Sequence, residues 1–467
     1  MMEDSRRAFL KSMSILAAGT FLPLPSWGFG LGDRKLKIAL VGTGIRGTSY
    51  WGRELVEKYP DDLEFVGLCD INPGRLEYAR QYMQVDCPTY TDFGKMVNKS
   101  KPDLVIVTTV DSTHHEFIVK GLEMGCDVLS EKPLTTDEQK CQEIINAERK
   151  YDKKLIVGFN YRWSPYNTKV KELISEGTIG KVTSVDFHWY LNTYHGASYF
   201  RRWHGLREKG GTLLVHKSTH HFDLLNWWLD SDPEEVFAYG DLEFYGHNHP
   251  FRGDFCRVCP HKSECDFYWD ITKDRRSMDL YVKNEEHDGY IRDNCVWGKE
   301  INIYDKMSAQ IKYMNNVVVN YSLTTYSPFE GWRIAFNGTK GRIEASLDIP
   351  YNQNVNMSQE ELHAAEMSQE NDELSYEPVI THKLWEDFET VEVPMERAGH
   401  GGGDKRLHEQ VFEHPEQKDR YDRAAGLRDG AMSILIGIAA RKSIESGKPV
   451  QIADLTDLEP QVKRILE

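Results

Sequence analysis

The sequence lacks an excess of positive charge and, after residue 30, any long apolar run. Lys and Arg number 57 against 73 Asp and Glu, a formal net charge of −16 over 467 residues. A nucleic-acid surface needs surplus Lys and Arg, so this balance argues against a nucleic-acid partner. No later run approaches the ~20 apolar residues of a spanning helix, so we expect no membrane span after the leader. The length and a hydrophobic content of 40% predict two domains.

The first 30 residues differ from the rest of the chain. Arg6 and Arg7 precede a modest apolar stretch, a pattern that resembles a twin-arginine export signal. We therefore set residues 1–30 apart from the fold and expect an exported, periplasmic protein. The alternative is an ordinary disordered basic N-terminus. No small-x-small cleavage site stands out near residue 30, so removal of the segment stays open.

A glycine-rich turn follows the first strand-like run. The run KLKIALV at residues 35–41 is typical of a buried parallel strand, and a helix-like stretch follows the turn. Glycines at these spacings permit a tight turn and close approach of the backbone to a pyrophosphate. The helix N-terminus then offers N–H groups and partial positive charge to the phosphates. The residues of this turn that we expect at the cofactor are Gly42, Gly44, Ile45, Arg46 and Gly47.

Asp70 follows a second apolar run at residues 63–69. It stands roughly twenty residues or more beyond the glycine turn, where an acidic side chain binds the adenosine ribose of a dinucleotide. An acid at this place favours NAD over NADP. Arg46 and Arg75 lie nearby in the sequence and could accommodate a 2′-phosphate, so NADP stays an alternative.

Further apolar runs predict strands at 103–109, 126–130 and 154–159, with helical segments between them. This alternation indicates an α/β fold with a doubly wound parallel sheet, a Rossmann domain over residues 35–155. Ligands of such sheets gather at the carboxyl ends of the strands. A sheet of this kind also binds other mononucleotides or none, and that alternative stays open. The residues near these strand ends that we expect at the cofactor are Thr109, His114, Glu131, Lys132 and Asn160.

The strongest single signal is Glu131-Lys132-Pro133, at the end of a predicted strand. Lys132 there points toward the cofactor cleft, and the proline restricts the backbone around it. Tyr161 and Arg162 follow the next strand, at the expected junction of the two domains, where substrate would bind.

Taken together, these motifs resemble the glucose–fructose oxidoreductase / inositol dehydrogenase / rhizopine catabolism (Gfo/Idh/MocA) family. The resemblance covers most of residues 35–345. The elements that carry it are Gly42-x-Gly44-x-x-Gly47, Asp70, Glu131-Lys132-Pro133, Gly158-Phe159-Asn160-Tyr161-Arg162, the run from Gly210-Gly211 to His220 and Asp223, and Gly338-Thr339-Lys340-Gly341.

The resemblance implies a fold and an activity. A Rossmann domain is followed, over residues 156–460, by an α+β domain with a large open, mostly antiparallel sheet, which commonly pairs with its mate in a homo-oligomer. Family members use NAD or NADP to oxidise or reduce a ring hydroxyl of sugars, cyclitols and related compounds. The resemblance implies that Lys132 contacts substrate and nicotinamide and that His220 is the acid/base.

One departure from the family pattern concerns the proton relay. Many relatives carry aspartate four residues before the catalytic histidine, whereas this chain has His216 there, followed by Lys217. Either His216 replaces the carboxylate or Lys217 takes a role of its own. Imidazole suits proton transfer near neutrality, and a lysine cation stabilises charge developing on oxygen. The alternatives are incidental histidines at a helix start, or a metal pair formed by His216 and His220 on one helical face.

Aromatic and cationic residues near the expected junction form a second group. Tyr199-Phe200-Arg201-Arg202-Trp203-His204 could stack on a sugar face and reach its hydroxyls, or could be core plus solvated charge. The glycine-rich loop at 398–404 either closes over substrate or is a linker. The residues that we assign to substrate binding are Arg162, Arg202, Trp203, His221 and His400.

The later cysteines form a separate pattern within an insertion at about 245–300. Thiols at these spacings can hold a structural zinc ion, and two disulfides are the competing interpretation in an oxidising compartment. Unlinked thiols are the third. The cysteines in question are Cys256, Cys259, Cys265 and Cys295, and the four earlier ones, Cys69, Cys87, Cys126 and Cys141, read as small buried residues.

Three functions are consistent with the sequence. The first is a dehydrogenase or reductase with net turnover of NAD(P) on a small sugar, cyclitol or glycoside. The second is an NAD-dependent glycosidase or lyase, in which bound cofactor is reduced and reoxidised within one cycle. The third is a non-catalytic binding protein on the same fold, against which the presence of both Lys132 and His220 argues.

Overall fold

The computed structural model describes residues 34–349, 375–396, 400–415 and 417–463. The predicted export signal at residues 1–30 lies outside the described residues. Within the described ranges, no helix is both long enough and apolar enough to cross a membrane.

Six parallel strands form the first sheet, in the order β3-β2-β1-β4-β5-β6. The inner strands are almost wholly buried, as expected where helices cover both faces of a parallel sheet. The order reverses beside β1, which places a crevice at the carboxyl ends of β1 and β4. The predicted Rossmann sheet is confirmed. Its strands are β1 Leu36–Val41, β2 Leu63–Cys69, β3 Thr89–Tyr90, β4 Leu104–Val107, β5 Asp127–Ser130 and β6 Leu155–Val157.

Nine strands form the second sheet, in the order β14-β13-β12-β11-β7-β10-β9-β8-β15. Its pairs are antiparallel apart from β7 with β10, so the predicted open, mostly antiparallel sheet is also confirmed. The strands are β7 Val182–Asn192, β8 Pro233–Asp241, β9 Lys306–Tyr313, β10 Val318–Ser327, β11 Glu330–Gly338, β12 Gly341–Ile349, β13 Ser375–Lys383, β14 Phe388–Met395 and β15 Val450–Gln451.

Helices cover these sheets and carry much of the site. The stretch after the glycine turn is continuous helix, α-helical at Ile45–Thr48 and Glu54–Lys58 with a π-helical segment at Ser49–Arg53 between them. The other α-helices are Pro73–Met83, Phe93–Ser100, His114–Glu123, Glu138–Lys150, Pro165–Ser175, Thr193–Arg201, Arg207–Gly210, Leu213–His216, Ser218–Leu229, Arg275–Leu280, Gly403–His408 and Leu427–Ser446.

Two buried helices join the sheets. Every residue of Ser218–Leu229 is buried, and Leu427–Ser446 packs against both β8 and β6. A Cβ on Gly437 would lie 2.3 Å from the carbonyl oxygen of Leu214, so the long helix approaches the Leu213–His216 turn closely only because that residue is glycine. The helix that carries His220 is therefore enclosed on all sides.

A buried ion triad ties three of these elements together. Nε and Nη2 of Arg162 lie 2.7 and 2.5 Å from the two carboxylate oxygens of Asp223, and Nη2 also lies 2.6 Å from Asp429. The Arg162 side chain is 1% exposed. Our assignment of Arg162 to substrate binding is therefore corrected, because its guanidinium is engaged by two internal carboxylates.

We expect Arg162→Met to lower the free energy of unfolding by about 3–5 kcal/mol, because it leaves two buried carboxylates without their cation. Urea unfolding followed by circular dichroism measures the change.

The matched control is Arg149→Met, which removes an exposed pair with Asp457 at 2.8 Å. We expect that loss to stay below about 1 kcal/mol. Equal effects of the two substitutions would contradict a structural role for the triad.

Candidate active site

The turn after β1 forms the first wall of the site. Gly42 has φ +91°, and a Cβ on it would lie 2.6 Å from the carbonyl carbon of Thr108. A Cβ on Gly47 would lie 2.3 Å from the carbonyl oxygen of Gly42, whereas Gly44 faces more open space. Side chains at Gly42 and Gly47 would overlap backbone. The turn thus fits a dinucleotide, because its packing presents the amides from Ile45 onward to the phosphates.

Asp70 stands directly after β2. Its Oδ2 accepts the backbone N–H of Thr43 at 2.8 Å, and its Oδ1 accepts a hydrogen bond from Arg75 at 2.8 Å. Arg75 also lies 2.6 Å from Asp288 of the insertion. Arg75 is therefore shared between two carboxylates, which leaves a net negative charge at the place expected for the adenosine ribose.

The insertion reaches the nucleotide domain. The hydroxyl oxygen of Tyr281 accepts the backbone N–H of Ile45 at 3.0 Å, and the carbonyl oxygen of Asn284 accepts the side-chain amide of Asn72 at 2.8 Å. The sequence did not indicate these contacts, since no local motif shows which domain an insertion packs against.

Glu131 orients the lysine that follows it. Its Oε1 accepts hydrogen bonds from Arg46 at 2.6 Å and from the Trp51 indole at 2.7 Å, and its Oε2 accepts the backbone N–H of Lys132 at 3.1 Å. Burial opposes its charge, but Arg46 and Lys132 together hold the pKa of Glu131 below its ordinary value. Glu131 and Arg46, both predicted at the cofactor, thus form an internal pair behind the cleft.

His114 supports the same loop. Its Nδ1 lies 2.8 Å from the carbonyl oxygen of Pro133 and its Nε2 lies 3.1 Å from that of Thr109. Burial lowers the pKa of His114, so its ring is neutral and can donate to one of the two carbonyls at a time. The structure therefore places His114 beneath the Lys132–Pro133 peptide, which is cis, with Thr109 beside it.

Lys132 enters the cleft from the first sheet. Its Nζ donates to the carbonyl oxygen of His216 at 3.4 Å. Burial lowers the pKa of Lys132 to about 8, against the opposing effects of Glu131 and Asp111. The lysine is therefore close to the first turn of the helical region that carries the histidines.

Asp111 supplies the carboxylate that the motif around His220 lacks. It follows β4 in the Rossmann domain, and its Oδ2 lies 2.5 Å from Nδ1 of His216. Burial raises the pKa of Asp111 and lowers that of His216. Sequence reasoning missed Asp111, and its place shortly after a parallel strand was the available signal. His216 thus pairs with a carboxylate from the other domain.

His220 is a buried imidazole with an unused nitrogen. It is 3% exposed, its ring stacks on that of Tyr161 with centroids 4.3 Å apart, and its Nδ1 has no hydrogen-bond partner among the described residues. Burial, followed by the charges of Lys132 and Lys217, holds the pKa of His220 well below 6.5. The ring is therefore neutral at pH 7 and can accept a proton.

Lys217 also contacts Tyr161, the residue whose ring stacks on His220. Its Nζ donates to the Tyr161 hydroxyl at 3.2 Å and stands 5.1 Å from the centroid of the Trp189 ring. Tyr161 and Trp189 stack with centroids 5.8 Å apart. The two rings and the ammonium group form a wall that combines aromatic surface with positive charge.

The loop at residues 400–404 reaches the site as well. His400 Nδ1 lies 2.7 Å from Asp404, whose carboxylate also accepts the side-chain amide of Asn160 at 2.7 Å and a hydrogen bond from Arg46 at 3.1 Å. The His400 ring is 5.3 Å from that of Tyr161. The sequence-predicted residues His400 and Asn160 are thus brought together by Asp404, which lies in the loop predicted at 398–404 but was not assigned a role in the site.

Arg202 and Trp203 are half-buried beside His216. Trp203 stacks on His204 at 3.6 Å and meets the His216 ring edge-on at 5.9 Å. His221, also predicted to bind substrate, is placed differently. It is fully buried, its Nδ1 lies 2.7 Å from the Tyr321 hydroxyl, and it therefore belongs to the core.

The structural zinc predicted for Cys256, Cys259, Cys265 and Cys295 is not supported. These cysteines line one cavity, but the described part of the chain has no group of three or more His, Cys, Asp or Glu side chains placed to hold a metal ion. Arg201 Nη1 lies 2.9 Å from Cys256 Sγ, so a fixed positive charge opposes a bound cation. All eight cysteines fall within the described residues and are free thiols, so the alternative disulfides are not formed either.

Comparison with protein-family models identifies both domains of the chain. The chain matches the model of the oxidoreductase family NAD-binding Rossmann fold over residues 36–159. It matches the model of the oxidoreductase family C-terminal alpha/beta domain over residues 171–452. Both models describe the Gfo/Idh/MocA family.

Individual relatives differ in how much of the chain they match. YteT of Bacillus subtilis (strain 168), which carries the name of an oxidoreductase, is 37% identical over 90% of this chain and 99% of its own length. An inositol 2-dehydrogenase/D-chiro-inositol 3-dehydrogenase of Lactiplantibacillus plantarum is 26% identical over 42% of this chain, about half (53%) of the relative. A 2,7-anhydro-N-acetylneuraminate hydratase of Mediterraneibacter gnavus is 29% identical over 43% of this chain and 52% of its own length.

A solved structure shares the fold. The WlbA dehydrogenase from Bordetella pertussis, in complex with NADH and UDP-GlcNAcA, has a TM-score of 0.59 at 17% identity and covers 90% of this chain and 99% of its own. The chain therefore belongs to the Gfo/Idh/MocA family of oxidoreductases, with an NAD(P)-binding Rossmann domain followed by a C-terminal α/β domain.

Proposed function

We propose that the protein oxidises or reduces a ring hydroxyl of a sugar, cyclitol or glycoside with NAD. The observation that carries this proposal is the hydrogen bond from Lys132, at the carboxyl end of β5, to the backbone of His216, about one helical turn before His220. The charge of Lys132 acts on His220 and helps to lower the pKa of that imidazole. An ammonium group and a neutral imidazole in one cleft are the two groups that oxidation of an alcohol requires of the protein. Aromatic faces at Tyr161 and Trp189 add a surface on which a sugar ring can stack.

His220 is the proposed proton acceptor. In the oxidative direction it takes the hydroxyl proton as the C–H bond loses a hydride and the carbon becomes a carbonyl carbon. NAD, when bound, supplies the acceptor for that hydride. Tyr161 stacks on His220 and orients its ring. Nδ1 of His220 has no hydrogen-bond partner among the described residues.

Lys132 and Lys217 are the proposed electrostatic groups. Negative charge develops on the substrate oxygen as its proton leaves, and fixed cations in a water-poor cleft stabilise that charge. Lys132 is positioned by Glu131 and by the carbonyl oxygen of His216. The Asp111–His216 pair supports this arrangement from behind.

NAD is the proposed cofactor in preference to NADP. Asp70 and Asp288 both bind Arg75, so an added 2′-phosphate would meet two carboxylates and a cation that is already paired. Among the described residues, Arg75 is thus not a free cation for the 2′-phosphate of NADP.

The direct test incubates purified protein with NAD and a panel of free sugars, cyclitols and glycosides while NADH absorbance is followed. Accumulation of NADH with one of them supports net oxidation. No reduction of NAD with any member of the panel, and no oxidation of NADH with the corresponding ketones, would contradict the proposal.

A second candidate is cleavage or hydration of a glycoside with internally recycled NAD. The similarity to a hydratase of an anhydro sugar favours it. In such a cycle, oxidation acidifies the neighbouring C–H, elimination follows, water adds and the hydroxyl is restored. Cleavage of aryl glycosides without added cofactor, by protein that retains NAD through dialysis, distinguishes this candidate from net turnover.

We also propose export by the twin-arginine route and a homo-oligomer. Arg6 and Arg7 support export, and exposed apolar side chains on the second sheet, Tyr239 and Val318, support an interface. Cell fractionation tests the first proposal and light scattering of the purified protein tests the second.

We expect Lys132→Met to lower kcat by roughly 10²–10³-fold, because it removes a cation aimed at the developing oxyanion. NAD binding, measured by calorimetry, should change little. Lys95→Met, on an exposed helix of the same domain, is the control and should leave kcat unchanged. Full activity of Lys132→Met would refute the site assignment.

We expect kcat/KM to decrease on the alkaline side of the pH profile. The pKa of Lys132 is lowered to about 8, so the cation is present below that pH and is lost as the pH rises through it. The pKa of His220 is well below 6.5, so the base is already neutral across this range. We therefore expect kcat/KM to decline above about pH 8 in the wild type.

Lys132→Arg separates this explanation from general alkaline inactivation. Arginine keeps its charge at every pH in the range, so the residual activity of Lys132→Arg should show no decline near pH 8. A decline shared by both proteins would show that Lys132 is not the titrating group.

Asp111 is a positioning residue that acts through His216 and Lys132. We expect Asp111→Asn to lower kcat about tenfold or more. Because Asp111 raises the pKa of Lys132, its loss should also move the alkaline limb to lower pH. Asp457→Asn, at an exposed pair, should change neither quantity. A lower kcat with an unmoved limb would contradict the electrostatic role.

A further inference from the structure

The cleft concentrates positive charge in a chain whose formal net charge is −16. Four cationic side chains stand in or beside it, and among the described residues none of the four forms an ion pair with a carboxylate. They are Lys132, Lys217, Arg202 and Arg292. Lys132 and Lys217 already have a part in the proposed reaction, whereas the two arginines do not.

Arg202 has donors that no described residue uses. Its Nε donates to the carbonyl oxygen of Ser198 at 2.9 Å, and its guanidinium lies 5.4 Å from the centre of the Tyr199 ring. In the described part of the chain, its two Nη groups have no hydrogen-bond partner. A guanidinium fixed through Nε and a ring face leaves its outer edge free for a ligand.

Arg292 approaches from the insertion. Its guanidinium lies 5.3 Å from the centre of the Tyr281 ring, and that ring meets Tyr290 at 5.6 Å. Its Nε is buried and has no hydrogen-bond partner among the described residues. A buried donor without an acceptor is costly unless a ligand satisfies it.

The two arginines lie within electrostatic range of each other. Burial and the charge of Arg292 lower the pKa of Arg202, and both guanidiniums act on His204, which stacks against Trp203. Two like charges without an anion between them repel each other. An anion that binds both would relieve that repulsion.

The nearby carboxylates are already engaged. Asp111 is bonded to His216, and Glu330 accepts hydrogen bonds from His195 at 3.0 Å and from the backbone N–H of Asn192 at 2.8 Å. Glu131 and Asp404 both pair with Arg46. No carboxylate of the described cleft is therefore bonded to Arg202 or Arg292.

The position of Arg202 connects this charge to the reaction. Its ring partner Tyr199 meets the His216 ring edge-on at 5.4 Å, and the carbonyl oxygen of His216 accepts a hydrogen bond from Lys132. A group bound by Arg202 therefore lies within a small molecule's length of the ammonium and imidazole groups.

We propose that Arg202 and Arg292 bind the carboxylate of an acidic sugar, so that the substrate is a uronic acid or a glycoside of one. The inference rests on the proposed function and names its substrate class. A planar guanidinium matches a carboxylate through parallel N–H···O bonds, while the ring hydroxyl of the same molecule faces Lys132 and His220. The positive cleft also attracts such an anion to an otherwise acidic protein.

The test compares matched pairs of substrates that differ at one substituent. Kinetics with NAD are measured for D-glucuronate against D-glucose, and for D-galacturonate against D-galactose. D-Glucose 6-phosphate and D-galactose 6-phosphate form a third arm, since a phosphate could use the same guanidiniums. We expect kcat/KM to favour the uronate by at least about tenfold, with KM for the uronate rising as salt is added.

Substitution of each arginine then tests whether that side chain provides the preference for the uronate. Arg202→Met and Arg292→Met should each lower kcat/KM for the uronate roughly 10- to 150-fold, as expected for loss of one charge-assisted hydrogen bond. The ratio of kcat/KM for the uronate to that for the neutral sugar should fall by a similar factor. Arg207→Met, at an exposed pair with Glu445 on the following segment, is the matched control and should behave as wild type.

Several outcomes would overturn the proposal. A neutral sugar used as well as its uronate, or a sugar phosphate preferred to the uronate, would exclude carboxylate recognition, while NADH formation would still support the oxidoreductase function. An Arg292→Met protein that loses NAD affinity but keeps the preference for uronate would assign Arg292 to the cofactor instead. Thermal unfolding of each variant, together with retained turnover of the neutral sugar, guards against loss of the fold.

Discussion

The pairing of Arg162 with Asp223 and Asp429 is the interaction on which the site depends. Arg162 follows the last strand of the parallel sheet, Asp223 lies one helical turn beyond His220, and Asp429 begins the long C-terminal helix. Three segments far apart in the chain are therefore held by one buried cation. Because breaking such a pair leaves uncompensated charge in the core, the triad sets where His220 stands relative to Lys132.

Burial and local charge then decide the protonation of the groups so positioned. The histidines of the cleft are buried beside lysine and arginine cations, and both effects disfavour a further positive charge. The same effects lower the pKa of Lys132, although Glu131 and Asp111 oppose them. The result is a neutral imidazole next to a cation, a pair suited to removing a proton and stabilising the charge left behind.

The insertion links the two halves of the molecule. Tyr281 and Asp288 contact the glycine turn and Arg75 in the nucleotide domain, while Arg257 pairs with Glu285 within the insertion. The cysteines of the insertion line a common cavity but are not arranged to hold a metal ion. Hydrogen bonds and ion pairs stabilise the insertion. The insertion is thus placed where it can affect both cofactor and substrate.

Local pattern accounts for much of the fold and for part of the site. The glycine turn, Asp70 and the Glu131-Lys132-Pro133 element identify a parallel sheet and its ligand-binding edge, because strand period, turn geometry and strand-end position are local properties. The local sequence pattern was not sufficient to predict the surroundings of Arg162 and His221, or to decide whether the later cysteines hold zinc. A polar side chain near a predicted cleft looks the same in sequence whether it faces substrate or an internal partner.

By itself, then, the sequence determined the fold class, the glycine turn and the lysine at the end of β5, since each depends on residues adjacent in the chain. The tertiary structure alone decided that Asp111 pairs with His216 and that Asp404 joins His400 to Asn160. It also brings Arg202 within electrostatic range of Arg292, with no described carboxylate bonded to either. The reason is physical: pairing and desolvation depend on distances in space between residues that are far apart in the chain, such as the 105 positions that separate Asp111 from His216 and the 244 that separate Asn160 from Asp404.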